Sequence, residues 1–264
     1  MFESFNANTN LAPRLKNILD LIPENTQRLV DVGCDHGKLS KAFLLSRERA
    51  EALLIDLREK PLAKAKKNLS SIPEKKKTFS LSSGLLDWEV QANDCIVIAG
   101  LGAKEIINIL AEKYQQILSN NSMTNYEQDV FIIIQAMRNQ ENVRQFFREN
   151  NFTCLIQSLV QDKRFTYSIE LYKLNFAKIK IAPKLQVTNS LEDFLAKPLF
   201  DKLTSEKAYD NSQKLITDNR NIKQYVLRQY RIIKQESLSL DAKLLKGREE
   251  TLSKLEKIIK LVIN

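Results

Sequence analysis

Histidine occurs once in these 264 residues, at His36, and cysteine three times, at Cys34, Cys95 and Cys154. One imidazole and three distant thiols do not make a tetrahedral zinc site. An odd number of widely spaced cysteines suits reduced thiols better than a disulfide framework, so no metal and no disulfide are expected. No apolar run approaches the ~20 residues of a bilayer span. Residues 1–10 have neither the basic start nor the apolar stretch of a signal peptide, so the expectation is a cytoplasmic protein with no membrane partner. Glycine and proline are scarce, six of each, and beyond Pro198 there is no further proline and one glycine, Gly247. Few turns can therefore interrupt the C-terminal third. Acidic charge is in deficit: 32 Asp+Glu against 41 Lys+Arg leave a formal +9. Such an excess draws a chain toward polyanions or solvates an amphipathic helical surface, and charge alone does not choose between them.

The hydrophobic fraction, 43%, is that of a packed globular protein, and the length suits one α/β core with a smaller appended unit. From Arg28 onward, short aliphatic runs alternate with amphipathic stretches, the signature of βαβ units and a mostly parallel sheet. Strands are predicted over Arg28–Gly33, Ala52–Asp56, Thr78–Ser82, Cys95–Ala99 and Val130–Ala136. The intervening helices are predicted at Lys38–Leu45, Lys60–Leu69, Ala103–Leu118 and Glu141–Glu149. Two further strands, Phe152–Gln161 and Phe165–Leu174, are separated only by Asp162-Lys163-Arg164 and predict an antiparallel hairpin that closes the sheet. Ahead of them all, Leu11–Leu21 reads as a short helix stopped at Pro23, a lid beside the ligand cleft. The texture changes at Pro183, which divides the chain into a Rossmann-like domain, 1–183, and a helical extension, 184–264. There Leu238, Leu245, Leu252 and Ile259 recur every seven residues and, joined by Leu255 and Val262, predict one seam of a helical hairpin or short coiled coil. Ile222, Tyr225, Val226, Ile232 and Ile233 supply the other arm, with the break at Ser237-Leu238-Ser239.

The chemistry is concentrated in Asp31-Val32-Gly33-Cys34-Asp35-His36-Gly37-Lys38, where a strand runs through a glycine turn into a helix. Gly33 and Gly37 permit backbone conformations and a close ligand approach that side chains forbid. Dinucleotide sites use G-x-G-x-x-G to seat a pyrophosphate. Here Asp31 and Asp35 would repel a pyrophosphate, while they suit the ammonium and sulfonium of S-adenosylmethionine. Asp56, followed by Leu57, ends the second strand where a carboxylate can accept from both ribose hydroxyls. Ser83-Gly84 and Ala99-Gly100 complete a ring of small residues at successive strand ends.

These residues resemble the bacterial tRNA (adenine-22 N1)-methyltransferase family over nearly the full length. Asp31-Val32-Gly33-Cys34-Asp35-His36 is similar to that family's D-I-G-S-D-H, Ile98-Ala99-Gly100-Leu101-Gly102 to I-A-G-M-G, and Ile133-Ile134-Gln135 leading into Asn142-Val143-Arg144 to a strand end followed by a helix. Lys38 and Ser40 stand where the family has Tyr and Pro, Ser83 where it has an acid, Ala103 where it has a second glycine, and Ala136-Met137 where it has Pro-Asn. The resemblance implies a class I methyltransferase fold, S-adenosylmethionine as donor, adenine N1 of tRNA as acceptor, and RNA contacts by the extension. It implies cofactor contacts at Asp31, Gly33, Cys34, His36, Gly37, Asp56, Leu57, Ser83, Gly84, Ala99 and Gly100.

Adenine N1 carries an in-plane lone pair, so alignment matters more than base catalysis, and the base must leave its pair to be reached. Asp35 is the candidate catalytic residue, contacting the adenine amino group; binding the cofactor's amino group or capping the next helix are equal alternatives. Lys38 and Gln135 are candidate substrate contacts, although a buried amide at Gln135 could equally satisfy main chain. His36 can serve as a base or hydrogen-bond main chain. Trp88, Phe146 and Phe147 read as core, and Lys75-Lys76-Lys77 as a phosphate contact or a solvated loop. A methyltransferase of protein or small molecules, and a non-catalytic RNA-binding protein of the same fold, remain open.

Overall fold

A computed structural model describes residues 11–120, 130–150, 152, 154–179, 190–204, 214–238, 240 and 242–263. The boundary at Pro183 and Ser239 in the predicted break lie outside the described residues. Five aliphatic runs form parallel strands: β1 (Arg28–Val32), β2 (Glu51–Asp56), β3 (Lys77–Leu81), β4 (Asp94–Leu101) and β5 (Val130–Ala136). The hairpin of β6 (Cys154–Asp162) and β7 (Phe165–Leu174) follows, with β7 antiparallel to β5. Its turn places Lys163 at φ 55°, a left-handed conformation that a non-glycine residue seldom adopts. The seven strands stand in the order β3-β2-β1-β4-β5-β7-β6, a Rossmann-like sheet closed by the predicted hairpin.

Helices cover both faces, as parallel strands require. On one side α1 (Pro13–Leu21), α2 (Lys38–Ser46) and α3 (Glu59–Asn68) pack on Leu29, Cys95, Val97 and Ile133; on the other, α4 (Ala103–Ser119) and α5 (Gln140–Glu149) pack on Val30, Ile96, Ile98, Ile132 and Ile134. Alternate residues of one strand thus serve opposite layers, and each fully buried aliphatic side chain contributes roughly 1.5–3 kcal/mol. Trp88, Phe146 and Phe147 are core, as predicted. Lys77 is buried beneath Leu69 and Ile72, whose carbonyls accept from its Nζ at 2.7 Å each, so it is not a phosphate contact.

The C-terminal part differs from the prediction in two respects. After α6 (Leu191–Leu195) and α7 (Lys197–Thr204), a short strand β8 (Lys214–Ile216) pairs parallel with β6 and extends the same sheet. Three residues carry too little alternation to be read as a strand. The two long helices, α8 (Asn219–Ser237) and α9 (Ala242–Ile263), form the expected hairpin, yet its seam is displaced. Leu238 is 86% exposed in the break; among the described residues of α9 the predicted Leu255 is buried, together with Arg248, Thr251 and Ile258, while Leu252 and Ile259 lie on the flank. Two polar members of the buried stripe escaped a count of apolar residues.

A buried ion pair ties this extension to the sheet. Arg144 on α5 donates to Glu170 on β7 at 2.6 Å, to the carbonyls of Asp193 and Phe194 at 2.9 and 2.6 Å, and to Tyr225 on α8 at 2.7 Å. Ser168 and Tyr172 also donate to Glu170, and the arginine beside it holds its carboxyl below the ordinary range despite burial. With its donors satisfied, the pair links α5, β7, α6 and α8.

Candidate active site

The carboxyl ends of β1, β2 and β4, with the turn after β3, open on one cleft of about 770 Å³. Gly33 (φ 72°) starts the turn after β1, and its amide and that of Cys34 both donate to the Ile55 carbonyl, at 2.8 and 3.0 Å. This bends the chain across the tip of β2 and leaves the far side of the turn facing the cleft. At β4 a bulge between Ala99 and Leu101 breaks the register with β5, with Gly100 at φ 83°. Bulges of this kind re-aim a strand end beside a functional site.

Asp31 decides the electrostatics. It is 6% exposed, its hydrogen bonds come from Ser40, whose Oγ lies 2.5 Å from Oδ2, and no cation pairs with it among the described residues. Burial, against the opposing Ser40 bonds and with smaller repulsion from Asp56 and Asp35, pushes its carboxyl from 3.8 up to about 6. A buried carboxylate with no counter-ion that lines a cleft is a receptor for a cation. Asp56, 4% exposed, accepts from the amides of Arg58 and Asp35 at 2.9 and 3.3 Å. Each oxygen retains a lone pair for an incoming hydroxyl. Burial pushes the thiol of Cys34 well above its ordinary value, with the neighbouring carboxylates adding to it, so it lines the cleft as a neutral group and not as a nucleophile.

The methyltransferase-domain family profile matches residues 11–169, the span that builds this cleft. The chain belongs to that methyltransferase family. A protein of Mycoplasma genitalium named as a putative tRNA methyltransferase is 28% identical over 185 residues, 65% of this chain and 77% of its own. Among solved structures, TrmK of M. capricolum in complex with S-adenosyl-homocysteine superposes with a TM-score of 0.62 at 20% identity, covering 96% of this chain and 97% of that one. The B. subtilis M1A22 tRNA methyltransferase TrmK gives 0.65 at 16%, covering 95% and 99%. These structural likenesses establish the fold over the chain's length, the extension included.

Of the residues singled out in the sequence, the methyltransferase brings Asp31, Gly33, Cys34, Asp35, His36 and Lys38 to the cleft from the first turn. Asp56 and Leu57 join them from β2, Ser83 and Gly84 from the turn after β3, and Ala99 and Gly100 from β4. Two predicted residues do not line it. Gly37 (φ 64°) faces the layer beneath: a Cβ there would lie 2.8 Å from Leu69 and 3.0 Å from Leu54, so this glycine lets α2 start close against α3. Gln135 is wholly buried, donates from Nε2 to the Ala136 carbonyl at 2.9 Å and accepts from Arg14 Nη1 at 2.6 Å. It positions Arg14, which does line the cleft. Asp35 does not cap α2, whose N-cap is Gly37 with no side-chain bond. Its carboxylate, 66% exposed, stands 3.7 Å from His36 Nε2 at the mouth.

Sequence reasoning missed three contributions. Arg14 and Leu15 enter from α1, the predicted lid. Ser40, noted only as a departure from the family, is the donor to Asp31. One face of α4 also lines the cleft with Glu105, Asn108, Ile109 and Glu112. Their spacing of three, one and three is a helical stripe, and a search for polar stripes after a glycine-ended strand would have found it.

Proposed function

We propose that this methyltransferase transfers a methyl group from S-adenosylmethionine to N1 of an adenine in tRNA, adenine 22. The observation that carries the donor is the uncompensated Asp31 carboxylate in a glycine-lined cleft. The nucleic-acid acceptor is supported by the relatives named as tRNA methyltransferases and by the chain's +9 charge. S-adenosylmethionine, when bound, supplies an electrophilic methyl group on a sulfonium. Asp31 would hold the ammonium of its amino-acid end, Asp56 would take the ribose hydroxyls on its remaining lone pairs, and Leu57 and Ser83 would line the side of the adenine. The turn at Gly33 and the bulge at Gly100 let main chain approach where a side chain would intrude.

No proton need leave before transfer, so the chain's task is alignment. Asp35, exposed at the mouth, accepts from the target's amino group and balances the positive charge that appears on the methylated ring. Lys38, exposed at the start of α2, stands beside it. A second reading, a cofactor-binding protein of the same fold without turnover, is favoured by the end of β5. There Ala136 is buried and the Gln135 amide is committed to Arg14 and main chain, so neither offers the base a hydrogen bond. Labelled-methyl incorporation into unmodified tRNA, compared with tRNA carrying guanine at position 22, separates the readings. Incorporation into the first alone supports the proposal. Equal incorporation into both removes the site assignment, and binding of donor with no incorporation selects the second reading.

A further inference from the structure

A line of guanidinium groups and aromatic rings runs from the cleft along the β6–β7 hairpin to α8. The guanidinium carbon of Arg14, at the cleft, lies 5.8 Å from the centroid of Tyr167. Tyr167 meets Phe165 edge-on at 6.3 Å, and Phe165 has Arg164 at 4.9 Å and Arg228 at 5.7 Å from its centroid. Three separate elements, α1, the hairpin turn and α8, therefore converge their arginines on two rings. Phe165 is 41% exposed, an apolar ring left at the surface beneath two cations.

These arginines differ from others in the molecule. Arg28, Arg144, Arg148 and Arg248 are each paired with a carboxylate, those of Asp94, Glu170, Asp193 and Glu236. Arg14, Arg164 and Arg228 have no carboxylate partner among the described residues. Their side-chain hydrogen bonds go to neutral acceptors, Gln135 Oε1 for Arg14 and the Thr166 carbonyl for Arg228. A ring holds a guanidinium by its face and leaves the N–H edge pointing outward with its charge intact. Carboxylates would have neutralised the same positions. A row of oriented, uncompensated cations interleaved with rings is the construction that grips an unpaired nucleic-acid strand, phosphates on the cations and bases on the flat groups.

We propose that this ridge carries the unpaired RNA strand flanking the target nucleotide. Arg164 and Arg228 take its phosphates, Phe165 holds both guanidinium groups in place, and Arg14 guides the strand into the cleft. The inference rests on the RNA reading above and adds a location to it. A target base leaves the stack before it enters a pocket, so its neighbours are unpaired at that moment, and a surface for them must begin at the cleft mouth.

The test uses the full-length protein and unmodified tRNA, titrated across a salt series, with S-adenosylmethionine calorimetry and methyl incorporation on the same samples. For the double variant R164A/R228A, donor affinity stays at the wild-type value. Affinity for tRNA falls about tenfold near physiological salt, and the slope of log K against log salt shrinks by about 1.4, since each single-strand phosphate contact contributes about 0.7. The charge-retaining pair R164K/R228K restores the slope, which separates lost charge from lost fold. Phe165→Leu weakens binding severalfold at unchanged slope, because charge stays and orientation goes. A double variant with wild-type slope and affinity overturns the ridge. So does polyglutamate that competes as well as RNA at matched charge, which would mark a site for acidic protein. If the wild type binds tRNA without methylating it, the catalytic reading falls and the variants still decide the ridge. If it does not bind tRNA, both fall.

Discussion

Replacing Asp31 by asparagine should make the ligand-free protein more stable and a poorer binder of its donor. A carboxyl raised from 3.8 to about 6 on folding disfavours the folded state by about 3 kcal/mol once it is ionised. The sign follows from proton binding. The folded state holds this proton more tightly than the unfolded chain, so the contribution of Asp31 to stability is most favourable below pH 4, declines as pH rises, and is fully unfavourable above about 6. The asparagine side chain would keep the Ser40 Oγ bond through its carbonyl oxygen but introduce an amide that needs acceptors, which returns about 1 kcal/mol. The net gain at pH 7.5 is about 2 kcal/mol, or a Tm rise of about 4–8 °C for a chain of this size. The donor's ammonium would lose a charge-assisted bond of about 1.5–3 kcal/mol, weakening Kd roughly 10- to 150-fold. Thermal unfolding of both proteins from pH 4.5 to 8, with and without S-adenosylmethionine, reads all of this. In the wild type the donor should also bind more weakly below pH 6, as Asp31 takes up its proton. A variant that melts lower at pH 7.5, or that shows the wild-type pH slope between 4 and 6, would refute the assignment of Asp31 as an unbalanced charge awaiting a cation.

Arg144→Ala strands Glu170 in the core and should cost about 3–5 kcal/mol in urea unfolding, with exchange protection lost first in α6 and α8. Gly37→Ala forces a Cβ within 2.8 Å of Leu69 at a positive φ, so it should lower Tm without changing donor affinity of the folded fraction. Asp35→Asn should cut turnover at least tenfold while tRNA affinity holds, since the residue acts on charge that develops during transfer; full turnover would remove its role. Burial pushes the thiols of Cys34, Cys95 and Cys154 upward, so none should react with a thiol reagent until the protein unfolds.

The fold was legible wherever burial is written in apolar periodicity. β5 and β7 begin and end at the predicted residues, and α2, α3, α4 and α5 lie within one residue of theirs, because strands covered on both faces and helices with one apolar face leave strong patterns. The strand-end acids were legible for a related reason: a carboxylate beside an aliphatic run has no packing role to explain it. What was not legible was polar and tertiary. The seam of α9 includes Arg248 and Thr251, which hydrophobic counting cannot see. Gln135 looked like a base contact because an amide at a strand tip is ambiguous until its partners are known; Arg14, which occupies it, is 121 residues away. Gly37 looked like a ligand contact because a glycine that admits a ligand and one that admits a neighbouring helix have the same sequence.

The distribution of charge bears on how an acidic cleft would serve the RNA substrate proposed above. Asp31, Asp35, Asp56, Glu105 and Glu112 outnumber Arg14, Lys38 and Arg58 around the hollow of a chain whose net charge is +9, so acidic charge is in excess there and most of the cations lie elsewhere. A phosphate entering with the target base would meet that field in a poorly screened setting, where two like charges repel far more strongly than in water. A base alone carries no charge and is admitted. On the proposed ridge, the arginines at the mouth would provide for the phosphates that the hollow excludes, keeping the backbone outside while the base swings in. Release follows from the same segregation. Methylation makes the base cationic, but it also turns the donor's sulfonium into a neutral thioether, so the hollow holds the same total charge before and after transfer. A methyl group on N1, the proposed acceptor, would also block the edge through which the base pairs again, so re-pairing would not draw the product out. Discharge of the tRNA would therefore depend on the proposed phosphate contacts outside the hollow, and such contacts weaken as salt rises. With tRNA saturating, a burst of methylation followed by a slower steady rate is expected at low salt, and moderate salt should raise the steady rate while leaving the burst rate unchanged. A steady rate indifferent to salt under saturation would show that release is not governed by the phosphates.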